Sequence, residues 1–168
     1  PMRLSLKAVS GLILAQIAVG AGAETIAGFD FEPGTKLQVQ VSPFTYHYTY
    51  DENHRQVQMI GLERERVNGK LDGITFFTNS FGQPSVYVYP WGGAYNELGG
   101  IRALSFKWTA GLLYGYVEPY ENKVPYNYNG FSPGAIVALA YEFKPGWSAQ
   151  IDLLGTAAMM FQLNMQIK

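Results

Sequence analysis

The alternation of side chains in residues 135–168 constrains the fold more than any other feature of this sequence. Large apolar residues such as Phe161 and Leu163 alternate with polar ones such as Gln162 and Asn164. The same period of two runs through two further segments, which are separated by Lys-Pro-Gly and Gly-Thr turns. A period of two is typical of β-strands whose two faces meet different surroundings. The segment therefore predicts antiparallel strands with one large apolar face and one small or polar face.

Turn signals divide the remaining sequence in the same way and give eight candidate strands in total. An even number of antiparallel strands is typical of bacterial outer-membrane barrels, and closure leaves no unpaired strand edge in lipid. We therefore predict an all-β fold, an eight-stranded antiparallel transmembrane β-barrel with an interior acyl-chain pocket. The predicted strands are residues 36–50, 56–67, 70–79, 85–91, 101–116, 134–143, 147–154 and 157–167.

A soluble eight-stranded barrel of the lipocalin type, with the large face inside, is the alternative. Eight strands enclose room for modest side chains or one small ligand. The large face includes Phe106, Trp108 and Phe161, which would overfill that interior, so volume favours the large face outside, against lipid. Aromatic residues near the predicted strand ends are typical of interfacial girdles. They are Tyr46, Tyr48, Tyr50, Tyr87, Tyr89, Trp91, Tyr114 and Tyr116.

Residues 1–23 predict a signal peptide. Two basic residues precede an apolar run over residues 8–20, and the Ala-Gly-Ala sequence before Glu24 fits the small-x-small cleavage rule. The run is shorter than the roughly 20 residues that a membrane-spanning helix needs. A core helix of the mature domain is the alternative. We expect residues 24–168 to form a single β-barrel domain in the bacterial outer membrane.

Composition excludes several classes of function. The formal net charge is −1 at pH 7, which gives no electrostatic basis for binding nucleic acid. The chain has no cysteine, which excludes a disulfide scaffold and thiolate chemistry. Neither of its two histidines has metal-ligand neighbours in the sequence, so we predict no metal site.

With the small face inside, the predicted interior is apolar toward the outer end and polar toward the periplasmic end. The polar part predicts a hydrogen-bonded plug in which Lys107 pairs with Glu142 and Asp152. The apolar part would suit an acyl chain, and a well-filled core without a pocket is the alternative. The predicted pocket residues are Thr109, Gly111, Leu113, Ile136, Ala138, Ala140 and Met160.

Polar residues at the outer rim are the candidates for chemistry. His47 lies near the top of the first predicted strand, and Asn79 and Ser80 end the third. Both strands point outward, so these residues reach one rim above the predicted pocket, where a His and a Ser can act as base and hydroxyl in acyl transfer. An interfacial His and an ordinary Asn-Ser turn are the alternative. We expect His54, in the first outer loop, to be solvated, and residues 63–66 to be a rim charge pattern.

The order of these residues resembles the PagP family of outer-membrane lipid A palmitoyltransferases. An aromatic residue precedes His47, and Ser80 lies in the stretch Asn-Ser-Phe-Gly-Gln that ends the third strand. The Trp-Thr-Ala-Gly stretch from Trp108, the Lys-Pro-Gly-Trp stretch from Lys144 and the closing strand also fall where that family places its later strands. The resemblance covers most of the mature chain in topology and a handful of positions in identity.

The resemblance implies an enzyme that moves a palmitoyl chain from a phospholipid donor to lipid A, without a cofactor and as a monomer. It implies that His47 and Ser80 match the family's functional His and Ser, and that Asn79 replaces its Asp. Two departures are visible in the sequence. Asn79 cannot hold a negative charge, and Thr45 rather than His47 aligns with the family His unless a bulge lies beside Pro43.

Three functions remain open at this point. An acyltransferase and a lipid A deacylase differ in whether a sugar hydroxyl or water attacks the ester. A non-catalytic outer-membrane barrel that binds lipid or stabilises the membrane is the third, and Asn79 in place of an acid favours it.

Overall fold

The computed structural model describes residues 25–26 and 29–168, so the predicted signal peptide lies outside the described residues. Eight antiparallel strands form a closed barrel in chain order, in which the last strand pairs with the first. Two short paired segments, Thr25–Ile26 and Phe29–Asp30, precede it. The barrel strands are β1 Lys36–His47, β2 Met59–Glu65, β3 Leu71–Thr78, β4 Pro84–Tyr95, β5 Leu104–Tyr114, β6 Phe131–Lys144, β7 Trp147–Leu154 and β8 Ala158–Gln166.

The connections separate the barrel into two ends. Loops 48–58, 79–83, 115–130 and 155–157 lie at one end, which we call the long-loop end. Connections 66–70, 96–103 and 145–146 lie at the other, the short-loop end, where β1 begins and β8 ends. Two 3-10 helices, Leu98–Gly100 and Glu121–Lys123, are the helical elements of the described residues, and neither is long and apolar enough to cross a membrane.

The eight predicted strands are confirmed, and β4 is the one whose predicted end differs most. The prediction ended β4 at Trp91, because the two glycines that follow are typical of a loop. In the structure β4 continues to Tyr95, with Gly92 paired to Thr109 and Gly93 to Trp108. A side chain at Gly92 would meet the Trp108 carbonyl oxygen. Glycine here therefore permits close approach of two strands rather than a turn.

The face assignment is confirmed, with the large apolar side chains outside and the small or polar ones inside. On β6, Val137 and Leu139 are exposed, whereas Ala138 and Ala140 are buried. The same alternation holds on the other strands, because successive side chains of a strand point to opposite faces. The exposed outward residues include Val41, Phe44, Ile60, Leu62, Phe76, Val88, Trp108, Leu112, Tyr141, Ile151 and Leu153.

Two tyrosines expected in the aromatic girdle lie inside the barrel instead. Tyr87 and Tyr89 are 5% and 2% exposed, and their rings stack with centroids 5.1 Å apart. Their room comes from opposing glycines, since a side chain at Gly73 or Gly134 would collide with one of these rings. The sequence position of each tyrosine predicted where it lies along the barrel axis, but not whether its side chain points inward or outward. Tyr46, Tyr48, Tyr50, Trp91 and Tyr114 are exposed, as expected.

A buried ion pair crosses the barrel interior. Lys107 Nζ on β5 donates to Glu63 Oε1 on β2 at 2.6 Å, and Tyr89 Oη donates to Glu63 Oε2 at 3.0 Å. The predicted partners of Lys107 were wrong: Glu142 is exposed and Asp152 accepts a hydrogen bond from Gln150 at 2.7 Å. Glu63, placed by the sequence in a rim pattern, is only 2% exposed.

A second polar group continues this plug on the opposite wall. Asn164 Nδ2 donates to Gln150 Oε1 at 2.9 Å and to Ser148 Oγ at 3.2 Å, while Gln162 donates to Asn164 Oδ1 at 3.0 Å. These amides satisfy one another, which a buried polar group requires in a site away from bulk water. The hydrogen-bonded interior predicted for this region is therefore present, with Glu63 as the partner of its lysine.

Replacing one member of the ion pair should destabilise the barrel far more than replacing both. Lys107→Met leaves the Glu63 carboxylate buried without its cation, which typically costs about 3–5 kcal/mol. The double variant Lys107→Met/Glu63→Gln removes both charges, so we expect it to recover most of that loss. Urea unfolding of the refolded barrel measures both. Equal midpoints for the single variant and the wild type would show that the pair carries no stability.

Candidate active site

His47 and Ser80 meet at the long-loop end of the barrel. His47 is the last residue of β1, and Ser80 follows β3 by two residues. Their side chains are in direct contact, with His47 Nε2 and Ser80 Oγ 2.8 Å apart. Both side chains are partly buried, so the pair is reachable and still shielded. A ring nitrogen at hydrogen-bond distance from a hydroxyl is the geometry in which an imidazole can take that proton.

A bulge in β1 brings His47 to the inner face. Val41 pairs with Leu163 and Phe44 with Phe161, so β1 has one residue more than β8 between these two pairs. The extra residue lies beside Pro43, which has no backbone N–H to give to the ladder. The bulge expected beside Pro43 is therefore present. Thr45 and His47 both face inward beyond it, Thr45 being 2% exposed.

Asn79 is fully buried and is held within the loop that carries Ser80. Its Oδ1 accepts hydrogen bonds from the backbone N–H groups of Phe81 and Gln83, both at 3.0 Å. Its Nδ2 donates to the Gly115 carbonyl and to Gln83 Oε1, both at 3.1 Å. The amide thus uses acceptor and donor functions together, which a carboxylate has no N–H groups to do. This arrangement assigns Asn79 to the positioning of Ser80.

Aromatic side chains from three loops surround the pair. The ring of His54 stacks on that of His47 with centroids 4.2 Å apart, so His54 is engaged with the site, where the sequence predicted a solvated residue. Phe81 stacks on Tyr120 at 4.2 Å, and Lys123 lies 5.2 Å from the Phe81 ring. These contacts join loops 48–58, 79–83 and 115–130 over one side of the site.

Two loop residues add polar contacts to this cover. Lys123 Nζ approaches Asp51 Oδ2 at 3.4 Å, and the pKa of Asp51 is lowered chiefly by a hydrogen bond from the Asn53 backbone. Burial raises the pKa of Tyr116, while hydrogen bonding with Ser80 opposes that rise. Tyr116 therefore stays protonated at neutral pH, and its ring packs edge-on against Phe81 with centroids 6.4 Å apart.

The interior directly below the pair is apolar. Met160 on β8 pairs with Thr45, two residues below His47, and Phe77 lies three residues before Ser80. They belong to one cluster of buried and partly buried side chains, Val57, Met59, Phe77, Leu154 and Met160. Of these, only Met160 was among the predicted pocket residues. The others were identifiable from the inward positions of β2, β3 and β7, where the period-two pattern places Met59, Phe77 and Leu154.

The other predicted pocket residues line the inner wall of β5 and β6. Ala138 and Ala140 are buried, and Gly111 lies against the backbone of β4 at Val88. Thr109 and Ile136 border a cavity of about 390 Å³ that also contacts the outward residues Ala110, Ala135, Val137 and Leu153. This cavity therefore lies in the barrel wall, where β5, β6 and the end of β7 meet.

The wall is open at this point because β7 is shorter than β6. The last pair between them toward the long-loop end joins Val137 to Leu153, whereas β6 begins at Phe131. Residues 131–136 of β6 thus pair with β5 on one side and have no strand partner on the side of β7. Pro133, which has no N–H, lies in this stretch that lacks a partner on β7.

No group of three or more His, Asp or Glu side chains suited to a metal ion is found within residues 25–26 and 29–168. Models of known protein families do not match this sequence, and a search of curated proteins found no significant match. The resemblance to lipid A palmitoyltransferases thus rests on the residues named in the sequence analysis and stays a prediction.

Asn79→Asp, which restores the acid of the resembled family, is expected to destabilise this protein. The carboxylate keeps both acceptor bonds but faces the Gly115 carbonyl and Gln83 Oε1 without a donor, in a fully buried position. An unsatisfied buried group of this kind costs about 1–3 kcal/mol, and more when charged. The urea midpoint of the folded barrel measures the effect. Asn68→Asp, in an exposed turn where only Oδ1 is used, is the matched control and should leave the midpoint unchanged.

Proposed function

We propose that this protein is an acyltransferase of the bacterial outer membrane that moves an acyl chain from a phospholipid to lipid A. The observation that carries the proposal is the contact of 2.8 Å between His47 Nε2 and Ser80 Oγ, directly above an apolar cluster. A base and a hydroxyl in contact supply the chemistry of ester exchange. An apolar interior of this kind would suit the chain that is exchanged.

The simplest route uses the contact as it stands. His47 Nε2 accepts the Ser80 proton while Ser80 Oγ attacks the carbonyl carbon of the donor ester. The ester C–O bond breaks, and the lysophospholipid leaves with the proton that His47 returns. A lipid A hydroxyl then attacks the acyl-Ser80 ester, His47 takes its proton, and Ser80 recovers that proton as its own ester bond breaks. Asn79 positions Ser80 in this route by holding the backbone of its turn.

The outward surface of the barrel supports a location in a membrane. Apolar side chains are exposed on seven of the eight barrel strands, for example Ile60, Phe76 and Leu139 at 54%, 56% and 48%, and those that point outward on β8 are half-buried. Water would disfavour so much exposed apolar area on a monomer, whereas hydrocarbon accommodates it. The long-loop end would face outward, where lipid A is found. The cavity between β5, β6 and β7 would admit the acyl chain from the outer leaflet.

A non-catalytic lipid-binding barrel is the second candidate function. The observation that favours it is that the neutral amide of Asn79 stands beside Ser80, while His47 stacks on a second imidazole. An imidazole oriented by a carboxylate is the usual arrangement in Ser-His hydrolases. A lipid A deacylase would use the proposed pair in the same way, with water in place of the acceptor hydroxyl.

Mass spectrometry of lipid A from cells that express the protein tests the proposal. Wild type should yield a species heavier by one acyl chain, and His47→Ala and Ser80→Ala should each abolish it. Ser105→Ala, at the short-loop end and hydrogen-bonded to Asn96 Oδ1, is the matched control and should retain the full yield. Intact-mass measurement of the purified protein should show acylated Ser80 when donor is supplied without acceptor.

Each remaining result selects another function. A lighter lipid A in wild type alone would identify a deacylase. Unchanged lipid A, with all variants folded as heat-modifiable barrels, would leave the lipid-binding role. Full activity in either the His47 or the Ser80 variant would remove the pair from the chemistry.

A further inference from the structure

A cluster of charged side chains faces outward at the short-loop end, on β2, on β3 and on the connection between them. Arg64 donates two hydrogen bonds to Asp72, from Nε to Oδ1 and from Nη2 to Oδ2, both at 2.9 Å. Arg66 also contacts Asp72, with Nε and Nη2 each 3.1 Å from Oδ2. Two guanidinium groups thus share one carboxylate. The cluster carries a net charge of +1, and each guanidinium keeps N–H donors beyond those given to Asp72.

This cluster borders a groove of about 480 Å³ in the outer wall of the barrel. The groove lies where the ladder between β3 and β4 is interrupted: the paired run ends at Gly73 and Tyr89, and the next contact is the bridge between Lys70 and Gly93. Pro90 lies in the gap and has no N–H to donate. The two strands separate here, which opens the surface between them.

The remainder of the groove is apolar and continues toward the middle of the barrel. Leu62, Ile74 and Val88 are neighbours in register on β2, β3 and β4, and all three line it. Phe31 and Leu37 close it on the side of β1. The groove therefore has a cationic end near the chain reversals and an apolar floor that runs along the lipid-facing wall.

We propose that this groove binds one anionic glycerophospholipid, with its phosphate on Arg64 and Arg66 and an acyl chain on the apolar floor. Planar guanidinium groups bind phosphate oxygens in pairs, and they bind them more strongly where water is partly excluded. The net charge of +1 on the cluster favours an anionic lipid, because an apolar segment of protein in the groove would leave that positive charge without a partner. The site is separate from His47 and Ser80, which lie at the opposite end. It rests on the membrane location proposed above and not on acyl transfer.

Native mass spectrometry of the full chain in detergent micelles, titrated with palmitoyl-oleoyl phosphatidylglycerol, tests the proposal. We expect the wild type to retain one lipid more than Arg64→Gln/Arg66→Gln, whose affinity at this site should fall about tenfold. Arg102→Gln/Lys144→Gln removes the same charge from exposed positions at the same end and should bind as the wild type does. Diacylglycerol with the same chains, which has no phosphate, should not distinguish the variants.

Asp72→Asn separates lipid binding from a purely structural role of the cluster. It frees both guanidinium groups and raises the net charge of the cluster to +2, so we expect several-fold tighter binding. Weaker binding by Asp72→Asn would overturn the proposal, as would equal binding by wild type and the double arginine variant. A mass of two protein chains in place of protein plus lipid would identify the groove as a dimer interface. His47→Ala should leave the difference between wild type and the arginine variant unchanged, so failure of the proposed acyl transfer would not affect this result.

Discussion

The pairing of β8 with β1 is the constraint on which the rest of the structure depends. It joins Ala158 to His47 at one end and Gln166 to Gln38 at the other, and so closes the sheet. Closure gives the backbone groups of the first and last strands their partners. It also creates an interior of fixed width, in which every inward side chain must fit beside those of seven other strands. That limited width restricts how many large side chains can point inward. It also brings the charged partners and the two stacked tyrosines into contact across the interior.

The elements that the sequence predicted well are those fixed by local pattern. Alternation along β6, β7 and β8 predicted three strands with two distinct faces, because a strand places side chains on opposite sides with a period of two. The volume of the large side chains then predicted which face points inward. The location of His47 and Ser80 at one end of the barrel followed from chain direction, since β1 and β3 run the same way, whereas their direct contact is seen in the structure. Even the bulge beside Pro43 followed from a local property, the missing N–H of proline.

What the sequence did not reveal depends on contacts across the barrel. Lys107 had acids at the predicted positions on β6 and β7, and only the closed structure shows that Glu63 on β2 lies opposite it. Tyr87 and Tyr89 were expected outside, because the space they fill is made by glycines on other strands. The role of Asn79 depends on Gly115, a residue 36 positions later in the chain. No pattern within one strand contains that information.

The hydrogen bond from Asn79 to Gly115 has a mechanical consequence for the rim. Loop 115–130 begins at the residue that receives this bond, and the same side chain accepts hydrogen bonds from the backbone of Phe81 and Gln83, in the turn that presents Ser80. Gln83 doubles the link by donating to the Val117 carbonyl at 3.0 Å. A ligand that displaces the start of the long loop therefore also displaces the Ser80 hydroxyl, without contacting it. The two loops therefore move together, because the side chains of Asn79 and Gln83 both bond from one loop to the other.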